Sequence, residues 1–134
     1  MIITLDCSAA IEFVTGRPQA KIIKNQLEKA DFIITPSLFI YELSNVMWKY
    51  HSLNRTPKKI LLPKISQGIS LIDQFITAED IFEEAISLSW KINHPAYDSM
   101  YLVTAKRKNA TLISIDEKLI HLAKKLDIDF LELN

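Results

Sequence analysis

Short apolar runs rich in β-branched residues alternate with helix-like segments along this chain of 134 residues. Strands are predicted for the runs at residues 2–5, 31–36, 69–75, 111–115 and 128–133. Between these runs, apolar residues recur every three or four positions, which indicates amphipathic helices. Parallel strands need crossover connections, so this order predicts an α/β fold whose mainly parallel sheet is covered by helices on both faces.

The helical segments have recognisable starts and ends. Helices are predicted over residues 9–14, 38–51, 58–67, 77–93, 97–108 and 117–126, with another that opens at Pro18. Ser8 is predicted to be the N-cap of the first helix, because a serine hydroxyl suits that position. In the helix at 77–93, Ile81, Phe82 and Ala85 are predicted to belong to the buried stripe. The run at 69–75 also fits a helix end, although we favour a strand.

Length and composition predict a single globular domain that spans residues 1–134. Hydrophobic residues make up 49% of the chain and only two residues are glycine, which argues against disorder. Cys7 is the only cysteine, so an internal disulfide and a multi-cysteine zinc site are excluded. This cysteine content is typical of a reducing compartment, and we therefore expect a cytoplasmic protein. Because no run approaches the roughly 18 apolar residues of a membrane helix, we expect no membrane association.

Charge is balanced overall but uneven locally. The sixteen basic and sixteen acidic residues cancel, so net charge gives no argument for a nucleic-acid partner. The chain has no acidic residue between Glu42 and Asp73, but this stretch contains the basic residues Lys49, Arg55, Lys58, Lys59 and Lys64. Such a cluster is usually a solvated helix face, yet it is also suited to guide a polyanion toward an acidic centre.

Four acidic residues occupy mainly apolar surroundings, where an unpaired charge is costly. Asp6 and Asp116 each end a predicted strand, whereas Glu42 and Asp98 lie within predicted helices. Each has an ordinary structural explanation when taken alone, as a cap, a turn residue or a first-turn acid. In a parallel sheet, however, ligands bind beyond the carboxyl ends of the strands, where Asp6 and Asp116 are expected. Four carboxylates brought together there would repel one another unless a cation intervened.

An acidic site of this composition suits a divalent cation. Carboxylate oxygens without thiolate or histidine ligands favour Mg²⁺ or Mn²⁺ over Zn²⁺. Such ions lower the pKa of bound water and stabilise the charge that develops during hydrolysis of a phosphodiester. If the four acids converge, they predict a metal-dependent hydrolase with a phosphodiester substrate.

Four segments of the chain carry a family resemblance. They read LDCSAA at residues 5–10, YELSNV at 41–46, YDSMYL at 97–102 and SIDEKL at 114–119. These segments resemble the motifs of PIN-domain ribonucleases, and most closely those of VapC-type toxins. The resemblance keeps the order and the spacing of the motifs over essentially the whole chain, which makes it far more specific than any one motif.

The resemblance implies a three-layer α/β/α sandwich with a central sheet of four to five strands, and Mg²⁺- or Mn²⁺-dependent endonucleolytic cleavage of RNA. It also implies a homodimer and a cognate antitoxin that occupies the active site, as in a type II toxin–antitoxin system. The acidic quartet of the family matches Asp6, Glu42, Asp98 and Asp116, each of which is then expected to be a catalytic metal ligand.

Three further polar residues are expected to support these acids. Ser114 stands where a threonine is common in the family, so a hydroxyl near the metal site is kept. Ser8 matches a small hydroxyl residue that often follows the first aspartate, and it either orients that aspartate or a water or caps the helix. Asn45 lies one helical turn after Glu42 and is a weaker candidate, because asparagine on a helix is usually just exposed.

Other interpretations compete with a nuclease. A catalytically inactive PIN-like module that binds a partner protein would have the same motifs without the chemistry. A haloacid-dehalogenase-like phosphatase is disfavoured because Ser8 stands where it needs a second aspartate, and the paired acids of a receiver domain are absent after the first strand. Cys7 is expected to be a buried inert thiol, His94 to serve a turn, and Trp48 and Trp90 to lie in the core or a dimer interface.

Overall fold

The structure, a computed structural model, describes residues 1–133 and contains one parallel sheet in that range. Its strands are β1 (Ile2–Leu5), β2 (Phe32–Pro36), β3 (Gln74–Ile76) and β4 (Thr111–Ile113). They are ordered β3-β2-β1-β4, so the first strand of the chain lies inside the sheet and pairs with the last one. The predicted parallel sheet is confirmed, with four strands in the described part of the chain.

Seven helices within residues 1–133 flank this sheet. They are α1 (Cys7–Val14), α2 (Ala20–Lys29), α3 (Leu38–Asn54), α4 (Lys58–Ser70), α5 (Ala78–Ile92), α6 (Ala96–Lys108) and α7 (Glu117–Lys125). The first four pack mainly on one face of the sheet and the last three on the other. Adjacent residues of β4 point to opposite faces, since Ile113 belongs to the first core and Leu112 to the second. The predicted three-layer α/β/α sandwich is confirmed.

The register of the sheet brings the ends of β1 and β4 side by side. Leu5 is paired with Ile113, and the backbone N–H of Asp6 donates to the Ile113 carbonyl at 3.0 Å. Both strands therefore leave the sheet at the same edge. Asp6 and Ser114, the residues that follow these strands, start from neighbouring positions.

Two predicted strands are wrong in extent. Helix α4 continues to Ser70 and the apolar residues that follow pack on the first core, so β3 begins only at Gln74. In the segment 128–133, one isolated parallel bridge joins Phe130 to Leu112 in place of a regular strand. The apolar pattern of both segments is real, but it reflects burial against helices and against the edge of β4.

Several side-chain predictions are wrong as well. Helix α1 begins at Cys7 with Asp6 as its N-cap, so Ser8 lies inside the helix. Phe82 is 51% exposed, although its neighbours in the predicted stripe are buried. Trp48 and Trp90 are also exposed, which excludes a core position for either of them and leaves the dimer-interface prediction untested.

The helices themselves lie close to their predicted positions. Pro63 is inside α4, and this helix continues past it without a break in the described structure. No helix in the described part of the chain has the length and apolar character needed to cross a membrane.

Candidate active site

The four predicted metal ligands lie at or near the N-terminal ends of four different helices. Asp6 and Asp116 follow β1 and β4, where they are the N-caps of α1 and α7. Glu42 lies in the second turn of α3, and Asp98 lies in the first turn of α6. Because β1 and β4 are paired in parallel, the two strand-end acids emerge at the same edge of the sheet.

Asp6 is buried, and two serine hydroxyls hold its carboxylate. Ser8 Oγ and Ser114 Oγ each donate to Asp6 Oδ2 at 2.5 Å. Each hydroxyl also accepts a backbone N–H, that of Ile115 at 3.0 Å for Ser8 and that of Asp116 at 2.9 Å for Ser114. A hydroxyl has only one proton to donate, so the 3.2 Å contact between the two serines is not a further donation. The serines thus fix Oδ2, while Oδ1 receives neither hydroxyl proton.

Helix capping explains only one of the two strand-end acids. Asp116 Oδ1 accepts from the Lys118 backbone N–H at 3.0 Å, as an N-cap aspartate does. Asp6 is also an N-cap by position, but its carboxylate makes no capping hydrogen bond of normal geometry. Capping therefore does not account for the buried Asp6 carboxylate.

Glu42 is held by a buried tyrosine of α6. The Tyr101 phenol donates to Glu42 Oε1 at 2.5 Å. Burial and the nearby Asp6 and Glu42 carboxylates raise the pKa of Tyr101, so the phenol keeps its proton and remains a donor. Sequence reasoning did not single out Tyr101. The available signal was its position three residues after Asp98, which puts both side chains on one part of the helix surface.

Asp98 is paired with a histidine four residues before it, in the turn that precedes α6. His94 Nε2 lies 2.6 Å from Asp98 Oδ2. A carboxylate accepts hydrogen bonds, and an imidazole N–H is the donor that this contact calls for. The prediction that His94 serves a turn is confirmed, because it lies between α5 and α6. Its contact with Asp98 was missed, because His94 precedes the N-cap of α6 and helical spacing does not predict contacts there.

Burial and acidic neighbours disfavour the ionised form of Asp6. Burial raises the pKa of Asp6, hydrogen bonds from Ser114 and Ser8 oppose this rise, and the Asp116 charge adds to it. Among residues 1–133, neither Asp6 nor Glu42 forms an ion pair with a lysine or an arginine. The negative charge of this region is therefore not balanced by direct pairing with a basic side chain in the described part of the chain.

Glu42 is affected by all three other acids. Burial raises the pKa of Glu42 to about 7, the Tyr101 hydrogen bond opposes the rise, and the charges of Asp6, Asp98 and Asp116 add to it. The Asp6, Asp98 and Asp116 carboxylates are thus near enough to Glu42 to disfavour its ionised form.

The acids are neighbours, but they are not gathered around one point. Within residues 1–133, no three histidine, cysteine, aspartate or glutamate side chains lie close enough together to hold a cation. The donor set fits Mg²⁺ or Mn²⁺ in its chemistry, since it consists of hard carboxylate oxygens with unbalanced negative charge. A cation bound by three or more of these acids would require their side chains to lie closer together than they do in this structure.

The raised pKa of Glu42 predicts a pH dependence of stability in the absence of divalent cations. Between the ordinary pKa of 4.5 and about 7, the folded protein binds more protons than the unfolded chain. The free energy of unfolding is therefore expected to fall as pH rises through this interval, and to stay low above it. Urea unfolding in EDTA should show Glu42→Gln to be more stable than the wild type at about pH 8 by about 1 kcal/mol, a value reduced for partial exposure. Equal stabilities at that pH would contradict the raised pKa.

Two other residues singled out by the sequence have simpler environments. Asn45 is exposed on α3, and no hydrogen bond described within residues 1–133 connects it to the four acids. Cys7 is buried, and burial with the charges of Asp6 and Glu42 raises the pKa of its thiol. The thiol is therefore protonated at neutral pH, in agreement with the prediction of an inert cysteine.

Comparisons with known proteins agree with this architecture. The structure is similar to the crystal structure of PAE2754 from Pyrobaculum aerophilum, with a TM-score of 0.73 and 17% identity over 90% of this chain and 78% of that one. It is also similar to that of FitAcB from Neisseria gonorrhoeae, with a TM-score of 0.67 and 18% identity over 97% and 96% of the two chains. At these identities the similarity shows the fold alone. A search of curated proteins found no match.

The family is shown by sequence. The profile described as PIN domain matches residues 3–125, which include all four predicted metal ligands and the three polar residues expected to support them. PIN domains are generally metal-dependent nucleases. The match covers far more than half of the chain, and the protein therefore belongs to the PIN domain family.

Proposed function

We propose that this protein is an endoribonuclease that uses Mg²⁺ or Mn²⁺, and that it is the toxin of a VapC-type toxin–antitoxin pair. The proposal is carried by the PIN-domain match over residues 3–125, together with the Glu42 carboxylate, whose pKa is raised by burial and further by the charges of Asp6, Asp98 and Asp116. Within residues 1–133, no lysine or arginine is paired with the buried Asp6 or the half-buried Glu42. Four acids at these motif positions are therefore a set that a divalent cation would stabilise.

In this proposal, Asp6, Glu42, Asp98 and Asp116 are the ligands of the cation. When bound, a divalent cation supplies an activated water and stabilises the charge that develops on a phosphodiester. The chain's own polar groups orient the ligands, since Ser8 and Ser114 hold one oxygen of Asp6, and a tyrosine and a histidine hold one oxygen each of Glu42 and Asp98.

RNA as the substrate is supported by the family resemblance and by the basic stretch after Glu42. Lys49, Arg55, Lys58 and Lys59 are exposed and available to a polyanion. Lys64 differs from them, because its Nζ donates to the Val14 carbonyl at 2.9 Å and helps to join α4 to α1. A phosphate backbone would be attracted to these exposed side chains.

An antitoxin and a second copy of the chain are the proposed protein partners. Large aromatic side chains are exposed at Tyr41 (72%), Trp48 (60%), Trp90 (75%) and Tyr97 (66%). Aromatic residues with this exposure are typical of protein interfaces. Tyr41 and Tyr97 each directly precede a proposed metal ligand, so a protein that covers them also limits access to the acids.

The direct test is incubation of the purified protein with total RNA, with and without Mg²⁺ or Mn²⁺, followed by mapping of the cut ends. We expect discrete cuts that require the cation and disappear in EDTA. Asp98→Asn is the matched inactive variant, and it separates this activity from contaminating ribonucleases.

A catalytically inactive PIN-like binding module is the alternative function. It is favoured by the finding that no three of the potential ligands within residues 1–133 are close enough to hold a cation. Folded protein that cuts no RNA with either cation, and that gains no thermal stability from them, would support this alternative over the nuclease.

A further inference from the structure

His94 contributes a hydrogen bond that the surrounding turn does not need. The turn between α5 and α6 is set by its backbone, with Asn93 in the left-handed region at φ 52° and Pro95 as the N-cap of α6. The His94 backbone N–H donates to the Ser89 carbonyl at 3.1 Å. Both the left-handed residue and the proline stop are ordinary devices for ending one helix and starting another, and neither requires an imidazole.

Residues other than His94 account for the packing between α5 and α6. Ser89 Oγ donates to Ser99 Oγ at 2.6 Å in a buried contact between the two helices. Ile81 and Ala85 of α5 pack with Val103 of α6 in a small apolar cluster. The imidazole is therefore not the group that holds the two helices together.

The contact of His94 with Asp98 fixes one oxygen of that carboxylate. Nε2 lies 2.6 Å from Oδ2, and the two side chains are only 22% and 28% exposed. A short bond in a partly buried place restricts the rotamers of the aspartate more than a solvated contact does. Since Oδ2 accepts from the imidazole, Oδ1 is the oxygen that this bond leaves for another ligand.

We propose that His94 is a positioning residue, which holds the Asp98 carboxylate in the orientation needed to bind a divalent cation. This inference rests on the proposed function, because it takes Asp98 to be a metal ligand. Carboxylates that bind metals are themselves commonly hydrogen-bonded, and loss of such a partner typically weakens metal binding by about 10–100-fold. The same arrangement is present for Asp6 with its serines and for Glu42 with Tyr101.

The test compares His94→Phe, which keeps a ring but has no donor, with His94→Gln, whose amide can donate to Asp98. Binding of Mn²⁺ is measured by the electron paramagnetic resonance signal of the free ion during titration of the metal into each protein. We expect His94→Phe to bind Mn²⁺ about 10–100-fold more weakly than the wild type. His94→Gln is expected to recover most of the affinity, which a role in packing alone would not explain.

Two controls make the result decisive. His121→Ala removes an exposed imidazole from α7 and should leave Mn²⁺ binding unchanged. Thermal unfolding in EDTA checks that each variant is folded, and His94→Ala replaces His94→Phe if the larger ring prevents folding. The positioning role alone is overturned if His94→Phe binds Mn²⁺ with wild-type affinity, or if His94→Gln does not restore binding. A wild-type protein that binds no Mn²⁺ overturns the metal site and this inference together.

Discussion

Asp6→Asn is expected to lower the rate of RNA cleavage by about 10³-fold or more while the protein stays folded. A metal ion contributes several kcal/mol of transition-state stabilisation, and each loss of about 1.4 kcal/mol is tenfold in rate. The substituted side chain has nearly the same shape and keeps an oxygen that can accept from Ser8 and Ser114. Because it also removes a buried carboxylate whose pKa is raised, stability in EDTA should be unchanged or higher.

The measurement is single-turnover cleavage of a mapped RNA substrate, together with urea unfolding of the same preparations. Asp129→Asn is a matched control, since Asp129 is an exposed aspartate outside the four motifs. If Asp6→Asn cleaves RNA at a rate close to that of the control, Asp6 is not a catalytic residue. That result would contradict its proposed role as the central metal ligand.

Mg²⁺ or Mn²⁺ is expected to raise the unfolding temperature of the wild-type protein. A ligand that binds only the folded state at 100 times its Kd stabilises it by about 2.7 kcal/mol, which for a domain of this size corresponds to roughly 10 °C. The gain should be large here because the cation also relieves repulsion between Glu42 and the acids around it. Differential scanning calorimetry with increasing cation concentration measures this shift directly.

The double substitution Asp98→Asn and Asp116→Asn should abolish most of the thermal shift. The control double variant, Glu83→Gln with Asp129→Asn, removes two negative charges at exposed positions away from the four acids. It should keep the thermal shift of the wild type. If both double variants respond to the cation as the wild type does, the stabilisation is a general salt effect, and the four acids do not form a metal site.

The sheet, and the edge at which its parallel strands end, could be predicted from the sequence for a clear physical reason. Strands that are buried on both faces are continuous apolar runs, and the residues that follow them lie at the edge where parallel strands end. This logic put Asp6 and Asp116 in the right place from residue pattern alone. It failed at 69–75 and 128–133, because an apolar run of that length does not distinguish a strand from a segment that packs on helices.

The side-chain contacts of the site were less predictable. The hydroxyl of Ser8 had two possible uses, and the sequence does not decide between a helix cap and a carboxylate partner 2.5 Å away. Tyr101 and Glu42 are 59 positions apart, so their hydrogen bond depends on how α3 and α6 are placed in space. The contact of His94 with Asp98 was no more predictable, because His94 lies in the turn before α6, where helical spacing does not apply.

The pairing of the first strand with the last has a consequence for protein synthesis. Asp6 and Ser114 are separated by 108 positions, yet the hydroxyl of the second holds the carboxylate of the first. A nascent chain leaving the ribosome therefore carries Asp6 long before β4 and Ser114 exist to complete its surroundings. Translation that stops before β4 yields a polypeptide in which Asp6 lacks the Ser114 hydroxyl. Under the proposed function, such a fragment would have an unfinished site and no nuclease activity.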